Sequence, residues 1–72
     1  MQMFGVKGFP PDAGVPTVVL KVRAPDPEPA LALAAGREIA DGLRLEAVHI
    51  GGALPAEGVF YEGPWPWPNR AA

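Results

Sequence analysis

A helix start signal between two strand-like segments constrains the fold of this chain more than any other feature. The run Asp26-Pro27-Glu28-Pro29 places an acidic residue before two prolines, a pattern typical of the first turn of a helix. We therefore expect Asp26 to accept hydrogen bonds from the first free N–H groups. Gly42 is expected to end the helix in the left-handed conformation.

The helical projection of this segment predicts one side that packs against a sheet. That side consists mostly of small residues, with two leucines at its edges: Ala32, Ala35, Gly36, Ile39 and Leu43, flanked by Leu31 and Leu33. Arg37 and Asp41 lie four residues apart on the opposite side, where we expect them to pair in solvent.

Two strands are predicted around the helix, so that residues 17–50 form one β-α-β unit. In residues 17–24, Val18, Leu20 and Val22 alternate with outward positions and are expected to face the core. Residues 44–50 begin with the same alternation, but Val48 and Ile50 are apolar on the face that starts polar. Either that face is covered at one end, or a bulge shifts the register.

The remaining chain supplies one or two more strands. Residues 1–9 are compatible with a short first strand that Gly5 and Gly8 weaken, and residues 59–62 predict a short last strand. The fold class is therefore α+β: a small β-α-β-β unit with one helix packed on a three- to four-stranded sheet. Residues 1–63 are predicted to form a single small domain, and residues 64–72 a C-terminal tail rich in Pro and Trp.

The side-chain inventory argues against an enzyme. The 72 residues include no cysteine and no serine, and the eight carboxylates show no paired spacing. We therefore expect no cofactor, no metal site, no catalytic residue and no small-molecule substrate. The alternative is a minor enzyme that uses His49, the single imidazole, with Glu46 or Glu57 as a partner.

The charge balance gives little reason to expect a nucleic-acid or membrane partner. The formal net charge is −2, the pI is about 5.1, and the basic residues are spread along the chain. No apolar run is long enough to span a bilayer, and the first residues do not resemble a secretion signal, so we expect a cytoplasmic protein. An RNA- or single-stranded-DNA-binding module remains an alternative, because exposed Phe60 or Tyr61 could stack bases.

The tail is the most specialised stretch, and it has two interpretations. Trp65 and Trp67 alternate with prolines, as in a peptide that anchors a partner. Alternatively, the two indoles cover an apolar outer face of the sheet formed by Val19, Val48, Ile50 and Phe60. The candidate partner-binding residues are the aromatic and aliphatic side chains of both interpretations: Trp65, Trp67, Phe60, Tyr61, Val48 and Ile50.

The sequence thus predicts a non-catalytic protein–protein interaction or assembly module. Its expected partner is another protein or a copy of itself, and self-association is expected through the sheet face or the tail. A second hypothesis is a small accessory, structural or inhibitory protein of a bacteriophage or mobile element, which the small size also fits.

Overall fold

The fold is one helix on one face of a four-stranded sheet. It is seen in a computed structural model in which residues 1–52 and 56–65 are described. The elements follow one another in the order β1, β2, α1, a short 3₁₀ helix, β3 and β4. Their bounds are Gln2–Phe9, Val18–Ala24, Pro27–Ala35, Glu38–Ala40, Arg44–Gly51 and Gly58–Pro64. The predicted α+β class and the first strand are both confirmed.

The sheet has the strand order β3-β1-β2-β4, and every neighbouring pair is antiparallel. Because β1 is antiparallel to both β2 and β3, those two strands run parallel to each other with β1 between them. The predicted β-α-β unit is present in this split form. Helix α1 connects its strands across one face of the sheet and contacts both of them as well as β1.

The core lies between α1 and this face of the sheet. Alternation in β1 and β2 directs Phe4, Val6, Leu20 and Val22 toward the helix, which contributes Ala30 and Ala34. Alanines at the contact let the helix approach the strands closely, and Leu31 and Leu33 pack around them. Burial of this apolar surface is the main stabilising contribution in so small a domain.

The helix begins where predicted but is capped differently. Asp26 is extended at the N-cap position, and its backbone carbonyl accepts the Ala30 N–H at 3.2 Å, yet its side chain makes no capping hydrogen bond. A capping side chain accepts from the second or third N–H of the helix. Pro29 occupies the third position and has no N–H, which removes one of the two donors.

The helix also ends earlier than predicted. It stops at Ala35, Gly36 follows in a right-handed conformation, and Arg37 is extended, so Gly42, with φ +77°, ends the 3₁₀ segment instead. The predicted inner side was therefore wrong for three residues that are exposed: Ala32, Ala35 and Gly36. Ile39 is partly buried against the core, as expected. The predicted Arg37–Asp41 pair is replaced by an ion pair between Arg37 and Glu62.

Bulges interrupt both edge strands, which settles the register question raised by Val48 and Ile50. In β3, His49 lies opposite Phe4 and Gly51 opposite Met3, so Ile50 is the extra residue. In β4, Tyr61 lies opposite Lys21 and Val59 opposite Val22, so Phe60 is the extra residue. Each bulge thus places an exposed apolar side chain on a sheet edge, 43% exposed for Ile50 and 41% for Phe60.

Candidate functional site

The face of the sheet opposite α1 carries no helix in the described part of the chain, and we call it the helix-free face. Residues directly opposite each other on antiparallel strands point to the same side. The register therefore places four cross-strand rows on this face. They are Arg44 and Phe9; Glu46, Lys7, Val19 and Gly63; and Val48, Gly5, Lys21 and Tyr61, with Arg23 in the next row beside Met3.

Four cationic side chains on this face each lie over an aromatic ring. The Lys7 Nζ is 5.0 Å from the Trp65 ring centroid, and the Lys21 Nζ is 5.6 Å from that of Tyr61. The guanidinium carbons of Arg23 and Arg44 lie 4.6 and 4.5 Å from the ring centroids of Phe60 and Phe9. All four distances are within the range in which a cation is attracted to the face of a ring.

Three of the four rings belong to β4 or follow it directly. Tyr61 lies along the strand over Gly63, where a Cβ atom would approach its phenol oxygen to 2.5 Å. A ring that covers a glycine in this way restores the packing that the missing side chain would have supplied. Trp65 is fixed by its backbone N–H, which donates to the Thr17 carbonyl at 3.0 Å. The rings of Phe60, Tyr61 and Trp65 therefore follow one edge of the helix-free face.

Charge is divided between the two sides of the sheet. Four of the six basic residues, Lys7, Lys21, Arg23 and Arg44, are on the helix-free face. Of the two acidic residues within strands, Glu46 is on this face, where it pairs with Arg44, and Glu62 is on the helix side. Four more acids lie in or next to α1 and the 3₁₀ helix: Asp26, Glu28, Glu38 and Asp41. The helix-free face is thus locally positive in a protein of net charge −2.

The guanidinium of Arg23 is partly enclosed. Its Nε is buried and has no hydrogen-bond partner among the described residues. Its guanidinium carbon also lies 4.6 Å from the Phe60 ring centroid, and a guanidinium that stacks on a ring exchanges some of its hydration for contact with the ring.

The predicted partner-binding residues are only partly brought together. Phe60, Tyr61 and Trp65 lie along β4, whereas Val48, 46% exposed, lies on β3 at the other edge of the same face. Ile50 is the bulge residue of β3, and Trp67 is outside the described residues. Sequence reasoning missed the four cations, although their signal is present: each occupies an outward position of an alternating strand.

His49 is not near the cation–ring pairs. It lies opposite Phe4, and the two rings meet edge to face with their centroids 5.6 Å apart. His49 is on the helix side of the sheet, but the residue is exposed because it lies near the end of an edge strand.

A shallow depression at the β4 edge is lined by Arg37 and by residues 59–62. The Arg37 Nε donates to Glu62 Oε1 at 2.7 Å. This hydrogen bond and the negative charge of Glu62 raise the pKa of Arg37 above its ordinary value. The pair links the segment after α1 to β4, so it positions an edge strand and leaves the cation of Arg37 neutralised.

The described residues contain neither a cluster of candidate metal ligands nor a helix suited to cross a membrane. Within residues 1–52 and 56–65, no three His, Asp or Glu side chains are close enough to hold a metal ion. None of the helices in the same ranges is long and apolar enough to cross a membrane. No protein-family model, curated protein or solved structure matches the chain.

Proposed function

We propose that this protein is a non-catalytic binding module whose docking surface is the helix-free face. The observation that carries the proposal is the set of four cations that lie over aromatic rings on one side of a four-stranded sheet. Aromatic residues and arginine are enriched where proteins bind partners. Val48 and Phe60 add exposed apolar area at the two edges.

The chemistry of the chain supports a binding role better than a catalytic one. The sequence has no serine and no cysteine, so two of the usual side-chain nucleophiles are missing. The imidazole of His49 packs edge to face with Phe4, on the other side of the sheet from the cations. A general base must lie close to the bound substrate, and His49 is too far from the cation–ring surface to act on a molecule bound there.

The charge of the face favours a negatively charged partner. Face-to-face association of two copies would place the four cations of one copy against the four of the other, which opposes binding. A partner with clustered negative charge would gain from the same arrangement. Self-association through the face, one of the two routes predicted from the sequence, is therefore the less favoured form of this proposal.

The test is a titration followed by two-dimensional NMR with poly-L-glutamate as a generic anionic chain and poly-L-lysine as its control. We expect poly-L-glutamate to shift the amide signals of β1, β2 and β4 on the helix-free face, and poly-L-lysine to leave them in place. The shifts should shrink as salt is added, because screening weakens such contacts. Shifts confined to α1, or none at low salt, would refute the proposal.

A second candidate function, assembly through a sheet edge, is favoured by one observation on β3. This edge strand spans eight residues without a proline, and Val48 and Ile50 are exposed on it. Such an edge can pair with a strand of another molecule. Sedimentation analysis of the protein and of Val48→Lys tests it: the variant should lose any dimer that the parent forms, and a parent that stays monomeric at all concentrations would exclude this candidate.

A further inference from the structure

We infer that the helix-free face binds a single strand of nucleic acid, with bases stacked on the rings of β4 and phosphates held by the neighbouring lysines and arginines. This inference rests on the proposed function, because it names the partner of the same face. It differs from the expectation based on total charge, which treats all six basic residues alike and does not register that four of them share one side of the sheet.

The aromatic residues form a short series along one edge. Phe60, Tyr61 and Trp65 lie within one strand and the residue after it, and a strand advances about 3.3 Å per residue. The series therefore extends over roughly 16 Å from Phe60 to Trp65, so bases can stack at both of its ends. Bases of any sequence can stack on such rings, because every base has a π-face.

The cations lie where a stacked strand would need them. Each of the three rings has a lysine or arginine over its face, 4.6 to 5.6 Å from the centroid, so a base that stacks there would displace the cation from the ring and leave it close to the base's own phosphate. Lys21 and Arg23 are two residues apart on β2 and thus roughly 7 Å apart along the strand. Surfaces that bind single strands generally combine cations with rings on which bases stack.

Other anionic partners explain only part of this arrangement. An acidic peptide would use the cations, but a carboxylate has no π-face to place on the rings. A duplex would also use the cations, but its bases are already stacked on one another. An anionic membrane calls for aromatic side chains that project and insert, whereas Tyr61 lies along the strand over Gly63 and Phe9 is only 8% exposed beneath Arg44.

The experiment is a fluorescence-anisotropy titration of the full chain with labelled oligothymidylate of about 12 nucleotides at roughly 20 mM salt. We expect saturable binding that weakens steeply with salt. The duplex of equal length and vesicles containing phosphatidylserine should bind more weakly, and poly-L-glutamate should compete poorly. No binding of the oligonucleotide at low salt would overturn the inference.

Two variants and one control separate stacking from charge. Phe60→Leu removes an exposed ring, keeps the charge, and should weaken binding roughly 5- to 150-fold. Lys21→Gln should weaken binding and reduce the slope of log K against log salt by about 0.7. Arg37→Gln makes the same change in net charge on the helix side, where Glu62 pairs with the cation, and should change affinity by less than about twofold.

The outcomes distinguish this inference from the proposal on which it rests. Equal affinity of Phe60→Leu and the parent protein would overturn it, since the ring would then take no part. If poly-L-glutamate binds the face as tightly as oligothymidylate, the docking surface is retained and the nucleic-acid inference fails. Binding to anionic vesicles without binding to the oligonucleotide would also overturn it, in favour of a lipid surface.

Discussion

Replacing Val19 by alanine tests whether the helix-free face has a packed layer of its own. Val19 has no exposed surface although α1 lies on the other side of the sheet. Its cross-strand neighbours are Lys7 and Gly63, and the Tyr61 ring lies over Gly63. Val22 on the same strand is equally buried but faces the helix, so Val22→Ala is a matched control.

The expected cost follows from the burial of Val19. Two carbon groups are removed, at about 0.8 kcal/mol each, or about 1.6 kcal/mol together. A cavity that collapses only partly raises this to about 2–3 kcal/mol. Proteins of this length have a free energy of unfolding of roughly 4–11 kcal/mol, so the loss is a large fraction of the whole.

A second set of variants, made in a protein that carries Tyr61→Ala, tests whether the Tyr61 ring causes the burial of Val19. With Tyr61→Ala, the valine should be partly hydrated already, and Val19→Ala should then cost about 1 kcal/mol less. Val22→Ala should cost the same in both backgrounds. Urea unfolding followed by circular dichroism measures all six proteins. If Val19→Ala costs less than about 0.5 kcal/mol, or if its cost is independent of Tyr61, the reasoning about this layer is wrong.

Three further predictions concern the remaining structure. Gly8→Ala would place a Cβ 2.7 Å from the Val18 side chain and 2.9 Å from that of Leu43, so we expect a loss of about 1–3 kcal/mol in urea unfolding, whereas Gly52→Ala, with no described atom within 4 Å, should be neutral. Gly42→Ala forces a side chain into φ +77° and should cost about 1–2 kcal/mol in the same assay; an unchanged midpoint would contradict this. Arg37→Gln should lower stability by an amount that stays constant between about pH 6 and pH 10. The pKa of Arg37 is raised by Glu62, so the stabilisation is complete below the ordinary arginine pKa and is lost only as the pH rises through the higher folded value; a difference that disappears by about pH 9 would refute this.

The sequence was sufficient to predict where the strands lie and where the helix begins. It was insufficient to predict the features that depend on strand order. Alternation located β2 and β3, and the proline pattern located the start of α1. The end of the helix was not predictable by the same rule, because the apolar pattern continues through Ile39 while the chain leaves the helix at Gly36. Local periodicity cannot reveal such a break when the residues after it still pack against the core.

The candidate site shows the same limit more clearly. Lys7, Lys21 and Arg44 are far apart in the sequence, and only the insertion of β1 between β2 and β3 brings them onto adjacent strands of one face. A net charge of −2 was interpreted as the absence of a basic surface, but net charge carries no information about sides of a sheet. The rings of Phe60 and Tyr61 were found because aromatic residues are conspicuous in any short strand.

The central position of β1 also has a consequence for folding kinetics. The strand nearest the N-terminus must also pair with β3, whose last residue is Gly51, so the β3 side of the sheet cannot form until most of the chain is available. A hairpin of β1 and β2 can form first, because it needs only local contacts. Until β3 arrives, that hairpin leaves one edge of β1 exposed, and exposed edges pair readily with other chains. Aggregation during synthesis or refolding is therefore expected to depend on how quickly the segment from Arg44 to Gly51 reaches β1.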